Sequence, residues 1–116
     1  AVMNSEDILD LQAKVAGIFV KDTVEKYIVD IVRGTRVSEN VVLGCSPRAT
    51  IALYNASKAY ALMKGRDFVS PEDVKYLAKS VLSHRLIIKP EVKYRGITNE
   101  MIIDEVLKAV DVPMVV

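Results

Sequence analysis

Two Ser-Pro pairs constrain the fold of this chain more than any other feature. Ser46-Pro47 and Ser70-Pro71 each precede a run in which apolar residues recur three or four positions apart. Serine is a favoured cap at the start of a helix, and proline is favoured at the first helical position. The two pairs therefore predict helices that begin at residues 47 and 71. The first of these continues to about Lys64, because Gly65 follows.

Apolar residues at helical spacing predict three further helices. The first spans residues 5–15, with Ser5 as its cap and Gly17 just after its end. The second spans residues 22–34, and the third spans residues 99–110, with Thr98 as its cap. Glu25 follows Asp22 at the spacing of a capping box, and Asp73 follows Ser70 in the same way. The sequence therefore predicts an all-α fold, a small bundle of about five helices that forms one domain over residues 1–116.

Three segments between these helices lack a helical pattern. Residues 18–20 are too few to classify and predict either an extended connector or a buried turn. Residues 35–44 predict a loop, and residues 84–97 predict an irregular or short extended connection.

The packing roles of several residues can also be predicted. Arg66 and Asp67 precede the fourth helix and are expected to fix that turn by ion pairing or capping. His84 and Arg85 follow the same helix, whose negative end favours cations. The third helix is rich in alanine, which predicts close approach to a neighbouring helix. Its expected inner face is Ala49, Ala52, Leu53, Ala56, Ala59, Tyr60 and Met63.

Composition narrows the class of protein. The chain has 16 Lys and Arg against 15 Asp and Glu, and this near-neutral balance argues against a protein that coats nucleic acid. Cys45 is the only cysteine, so a disulfide framework is excluded and a reducing, cytoplasmic compartment is expected. No apolar run approaches the roughly 20 residues that a membrane span needs.

The sequence contains no convincing catalytic constellation. None of the five glycines is followed by the Gly-Lys pair of a P-loop. Cys45 and His84 are the only thiol and imidazole, which are too few for a zinc site, and no metal site is expected. The adjacent acid pairs, such as Glu72-Asp73, lie near helix starts or on solvated faces, where capping or solubility explains them.

Arg48 breaks the charge rule for helix starts. Glu72 and Asp73 follow Ser70-Pro71, as the positive end of a helix dipole prefers, whereas Arg48 follows Ser46-Pro47. The expected penalty is about 0.3 to 1 kcal/mol, which a solvated arginine tolerates. A second interpretation is that backbone N–H groups and a guanidinium converge there on a phosphate group.

The segment 43–49, which reads LGCSPRA, resembles the Gly-x-Ser-Pro-Arg-Ala motif in the C-terminal lid domain of MoxR-type AAA+ ATPases. Residues 27–29 and 35–36 upstream, and residues 65–74 and 81–85 downstream, follow in the order of that family. The resemblance covers nearly the whole chain. One departure is Cys45, where the family more often has Ala or Pro, and we expect this thiol to pack in the interior without redox chemistry.

The resemblance implies a nucleotide-responsive lid that follows an upstream ATPase core and packs near the next subunit of a hexameric ring, in a protein with a chaperone-like role toward a protein client. Arg48 matches the sensor-2 arginine, which reaches the terminal phosphates of ATP, and Ser46 and Pro47 lie beside it. Tyr27 and Ile28 lie on a helix near the adenine pocket of such proteins, although core packing explains their spacing equally. ATP and Mg²⁺ would then be cofactors of the full-length protein, and this fragment alone would not hydrolyse ATP.

A small nucleic-acid-binding module is the main alternative. Residues 84–95 contain His84, Arg85, Lys89, Lys93 and Arg95 against one acid, with Tyr94 available for stacking. A helix-turn-helix would need a basic recognition helix, and none is evident. A protein-interaction bundle without a nucleotide role is the other alternative.

Overall fold

The computed structural model of the protein describes residues 4–114, which form six α-helices and one two-stranded sheet. The elements in chain order are α1 (Ser5–Ala16), α2 (Asp22–Val37), β1 (Val41–Leu43), α3 (Pro47–Met63), α4 (Pro71–Leu82), a 3₁₀ turn (Ser83–Arg85), β2 (Ile87–Ile88), α5 (Pro90–Tyr94) and α6 (Asn99–Ala109). The predicted all-α fold class is confirmed, with one more helix than expected.

Both helices predicted from the Ser-Pro pairs are confirmed at their starts. At α4 the capping box forms, since the Ser70 hydroxyl accepts the Asp73 N–H at 3.4 Å and the Asp73 carboxylate accepts the Ser70 N–H at 2.9 Å. At α3, Ser46 occupies the cap position, but its side chain makes no cap hydrogen bond. Thr98 caps α6 as predicted, by accepting the Met101 N–H at 3.2 Å.

Two predicted helix caps are wrong. Asn4, and not Ser5, caps α1, because its side chain accepts the Asp7 N–H at 2.9 Å while the Asp7 carboxylate accepts the Asn4 N–H at 3.2 Å. Asp22 is the first helical residue of α2 and not its cap, so the capping box expected with Glu25 does not form. A capping box needs its acid at the third helical position, and in α2 Glu25 lies one residue beyond it.

The predicted end of α2 near Gly34 is also wrong, because the helix continues to Val37. A β-carbon at Gly34 would lie 2.7 Å from Cγ1 of Val106 on α6. This glycine therefore allows two helices to approach closely, and it does not terminate the one to which it belongs. The segment expected to be a loop over 35–44 contains the last turn of α2 and the strand β1, and only residues 38–40 and 44 lie outside these elements.

The connection over residues 84–97 contains the expected extended part and an unpredicted helix. β2 pairs with β1 in antiparallel register, with Val41 opposite Ile88 and Leu43 opposite Ile87. The short helix α5 follows at once, with Pro90 at its first position. Residues 18–20 are an extended connector, in which Phe19 forms an isolated parallel bridge with Phe68.

The core lies between α2, α3, α4 and α6. Its largest fully buried side chains are Tyr27, Ile28, Ile31, Leu53, Leu82, Ile102 and Ile103. In contrast, α1 buries no residue, and its apolar side chains Ile8 and Leu11 are 46% and 45% exposed.

The predicted inner face of α3 is only partly correct. Ala49 and Leu53 are buried as expected, but Met63 is 83% exposed, and Ser57, Lys58 and Ala61 are buried instead. The reason is that α3 contacts α1, α2 and α4, so its buried surface is not a single stripe. The ammonium group of Lys58 donates to the carbonyl of Ala16, at the end of α1, at 3.3 Å, which offsets part of the cost of burying this side chain.

Arg66 forms an ion pair that fixes the turn before α4, as expected for this position, although its partner is Asp73 and not the neighbouring Asp67. Its Nη1 and Nη2 atoms donate to the two carboxylate oxygens of Asp73 at 2.7 and 2.6 Å. Burial alone would raise the pKa of Asp73, but the hydrogen bonds from Arg66 and Ser70 outweigh burial and hold this pKa below its ordinary value. The carboxylate is therefore stabilised in its charged form.

We predict that Asp73→Asn lowers the free energy of unfolding by about 2 kcal/mol at pH 7, because it removes a charged acceptor that serves three N–H donors. A depressed pKa in the folded state adds stability above the unfolded pKa, and that stability is lost as the pH falls through the folded value. Urea denaturation should therefore show the difference between the two proteins shrinking below about pH 4. A difference independent of pH would contradict the prediction. Asp67→Asn is the control, since Asp67 makes no such ion pair in the described structure.

Candidate functional site at the start of α3

The start of α3 is attached to the end of α2 by two hydrogen bonds. The Thr35 hydroxyl accepts the N–H of Cys45 at 3.0 Å and donates to the carbonyl of Val32 at 2.6 Å. Nε of Arg36 donates to the carbonyl of Cys45 at 2.8 Å. Two successive residues of α2 thus satisfy both backbone polar groups of Cys45, which would otherwise be buried without partners.

Gly44 makes this attachment possible through close backbone contact. A β-carbon at Gly44 would lie 2.6 Å from Cα and 2.8 Å from N of Arg36. These are main-chain atoms, which cannot rotate out of the way as the end of a side chain can. Only glycine therefore fits between the two segments, and its position determines where Cys45 and Ser46 lie.

Cys45 connects the same point to α4. It is fully buried, and its Sγ lies 3.6 Å from the carbonyl oxygen of Leu82, to which it donates. Burial raises the pKa of the Cys45 thiol, while a hydrogen bond with Thr35 and the nearby guanidinium groups of Arg85 and Arg36 oppose that shift. A buried, protonated thiol agrees with the packing role expected from the sequence.

Arg48 is exposed at the second position of α3, and the first turn of this helix contains no acidic residue. In the described part of the chain, its guanidinium forms no ion pair. Ser46 and Pro47, immediately before it, are exposed as well. The three predicted phosphate-side residues therefore lie together at one accessible helix start.

The two predicted adenine-side residues, in contrast, are core residues of α2, each 1% exposed. Tyr27 borders a cleft of about 470 Å³ between α2 and residues 109–113. Ile28 borders another, of about 360 Å³, between α2 and α3. The structure does not bring these side chains into one cleft. The Tyr27 hydroxyl is buried without a hydrogen-bond partner in the described structure, and burial, followed by the charge of Glu72, raises its pKa.

Two further arginines lie near the start of α3. Arg85 Nε donates to the carbonyl of Val81 at 2.9 Å, so this cation caps the end of α4, as its sequence position predicts. Arg36 and Arg85 both border a cleft of about 430 Å³. The role of Arg36 could not be predicted from the sequence, because its contact is with a residue nine positions away, which no local pattern shows.

The other basic residues of 84–95 are distributed over the 3₁₀ turn, the end of β2 and α5. Tyr94, the residue considered for base stacking, is 94% exposed on α5. Among residues 4–114, no group of acidic, histidine or cysteine side chains is arranged to hold a metal ion. The helices in this range are also too short or too polar to cross a bilayer.

A helical bundle with an exposed arginine at a Ser-Pro helix start is the arrangement expected of an AAA+ lid. The AAA lid domain family matches residues 33–106, which is more than half of the chain and includes Arg36, Arg48 and Arg85. The chain therefore belongs to the AAA lid domain family.

Two of the curated relatives that the chain matches are named MoxR. The chain is 34% identical over 123 residues to the chaperone MoxR1 of Mycobacterium tuberculosis, covering 98% of this chain and 33% of that protein. It is 45% identical over 113 residues to YeaC, an uncharacterized protein of Bacillus subtilis, covering 97% of this chain and 35% of YeaC. A crystal structure of a candidate ATPase from Cytophaga hutchinsonii superposes with a TM-score of 0.89 at 31% identity, covering 94% of this chain and 36% of that one. The chain thus spans about a third of the length of its curated relatives.

We predict that Gly44→Ala lowers the free energy of unfolding by about 2 kcal/mol or more, because the new methyl group would overlap the backbone of Arg36. Gly17→Ala is the matched control, because its β-carbon would lie 3.5 Å from the carbonyl oxygen of Lys14, an ordinary contact distance, and φ is −79°. Urea denaturation of the two variants measures the difference. Equal free energies of unfolding for the two variants would show that the backbones at Gly44 and Arg36 can move apart without loss of stability.

Proposed function

We propose that this domain is the nucleotide-responsive lid of a MoxR-type ATPase and that Arg48 contacts the terminal phosphates of bound ATP. The observation that carries the proposal is an exposed cation, without an ion-pair partner in the described structure, at the positive end of a helix inside the Leu43–Ala49 motif. An arginine at this end opposes the helix dipole. A bound phosphate group would make this position favourable for an arginine, since phosphate accepts hydrogen bonds from guanidinium and backbone N–H groups alike.

The remainder of the longer protein would supply the rest of the nucleotide site. Because the matched relatives are about three times as long as this chain, we propose that an ATPase core lies upstream and contributes the P-loop and the Mg²⁺ ligands. The whole protein would then be a cytoplasmic ATPase that assembles as a hexameric ring and acts on a protein client, as a chaperone does. The domain alone would not hydrolyse ATP.

The contacts around Cys45 explain how such a lid could respond as one body. The start of α3 is joined to α2 through Thr35 and Arg36, and to the end of α4 through the Cys45 thiol. A force on Arg48 would therefore be transmitted to three helices at once. Loss of the terminal phosphate would release this contact, and the bundle would move as a unit relative to the core. The proposal does not include Tyr27 and Ile28, whose buried side chains border different clefts.

We predict that Arg48→Ala, made in the full-length protein, lowers ATP turnover by about 10- to 100-fold, because a hydrogen bond from a charged group is worth about 1.5 to 3 kcal/mol. Arg95→Ala is the matched control, since Arg95 is also exposed but lies outside the α3 start. Steady-state ATPase assays compare the two variants.

The same substitution should not damage the fold. Removal of a cation from the positive end of α3 should leave the free energy of unfolding of this domain unchanged or raise it by up to about 0.5 kcal/mol. Thermal denaturation followed by circular dichroism measures this. Turnover equal to that of the unmodified protein would refute the assignment of Arg48.

A further inference from the structure

Two arginines lie at one cleft without a neutralising acid. The cleft of about 430 Å³ separates the end of α2, the β1–α3 connection and the 3₁₀ turn after α4. Its lining consists of Arg36, Val42, Leu43, Gly44, Cys45, Ser46 and Arg85. None of these residues is acidic, and the ion pairs found within residues 4–114 involve other cations. In a chain with nearly equal numbers of acids and bases, this is a local concentration of positive charge.

Both guanidinium groups are held by the same kind of contact. Nε of Arg36 donates to the Cys45 carbonyl at 2.8 Å, and Nε of Arg85 donates to the Val81 carbonyl at 2.9 Å. Each bond uses the inner nitrogen and leaves both terminal nitrogens of the side chain available. A planar guanidinium presents these nitrogens as a fork that matches the oxygens of a phosphate or carboxylate group. The forks are therefore oriented before any ligand arrives, which lowers the entropy lost on binding.

The charge of the pair selects between these two oxyanions. A phosphate monoester carries about −1.5 to −2 charges at pH 7 and offers three oxygens. A carboxylate carries a single charge and would leave one guanidinium uncompensated.

We propose that Arg36 and Arg85 form a phosphate-binding site, separate from the contact proposed for Arg48. Arg48 does not line this cleft, so the site stands whether or not Arg48 contacts ATP. Its ligand is either inorganic phosphate or the phosphate end of a nucleotide, which present the same chemical group.

The test is a titration of the 116-residue chain with inorganic phosphate at constant ionic strength, followed by ¹H–¹⁵N NMR. Saturable shifts are expected at the amides of residues 44–46, with a Kd of about 1 mM. Arg36→Gln and Arg85→Gln should each weaken binding by about tenfold, and the double variant should lose saturation. Arg95→Gln removes the same charge outside the cleft and should bind like the unmodified chain.

The same spectra show whether each variant is folded. If the Arg36→Gln variant is not folded, the affinity of the Arg85→Gln variant alone tests the proposal. Absence of saturable shifts in the unmodified chain would overturn the proposal, and so would equal affinities in the Arg85→Gln and Arg95→Gln variants. A parallel titration with ATP identifies the source of the phosphate group. ATP shifts at residues 44–46 that Arg85→Gln abolishes support a nucleotide ligand, and phosphate shifts without ATP shifts support the free anion.

Discussion

The approach of Gly44 to the backbone of Thr35 and Arg36 is the constraint on which the rest of the structure depends. At this separation no side chain fits between the segments, so their polar groups meet directly. Both backbone groups of Cys45 find partners on α2, and its thiol contacts the end of α4. The ends or starts of three helices are thus fixed around one buried residue. This junction resists local opening, because separation of Cys45 from α2 would leave buried N–H and C=O groups without hydrogen-bond partners.

This arrangement explains why an arginine can lie at the start of α3. The helix start is held by contacts within the fold, so it does not need an acidic first turn for stability. At α4, in contrast, the start is completed locally by Ser70 and Asp73. Two helices that begin with the same Ser-Pro pair are therefore stabilised differently. The one stabilised by tertiary contacts has an exposed cation in its first turn.

Much of the fold could be predicted from the sequence, because helix starts depend on residues within one turn. The starts at Pro47, Pro71 and Asn99 follow from a capping residue, or a cap and a proline, next to apolar residues at helical spacing. Helix ends and connectors depend on distant residues. From the sequence, Gly34 predicts the end of a helix, whereas in the structure it allows close contact with Val106 on α6. In the same way, β1 and β2 are too short to show a pattern before they pair. Within the candidate site, Arg48 could be found from its sign at a helix start, and the cap by Arg85 from its place after α4. The contact between Arg36 and Cys45 is tertiary, and no local pattern predicts it.

The arginines differ most clearly in whether an acidic side chain neutralises their charge in the folded structure. Arg66 is paired on both terminal nitrogens with Asp73, so its charge is compensated by the fold that it stabilises. Arg36 and Arg85 are anchored through Nε to neutral carbonyl groups, which orients them without compensating their charge. Arg48 has neither a carboxylate partner nor an anchor in the described structure. Because a net charge of +1 averages these cases, it conceals the uncompensated cations near one helix start. That local excess, and not the total charge, favours anions near this helix start.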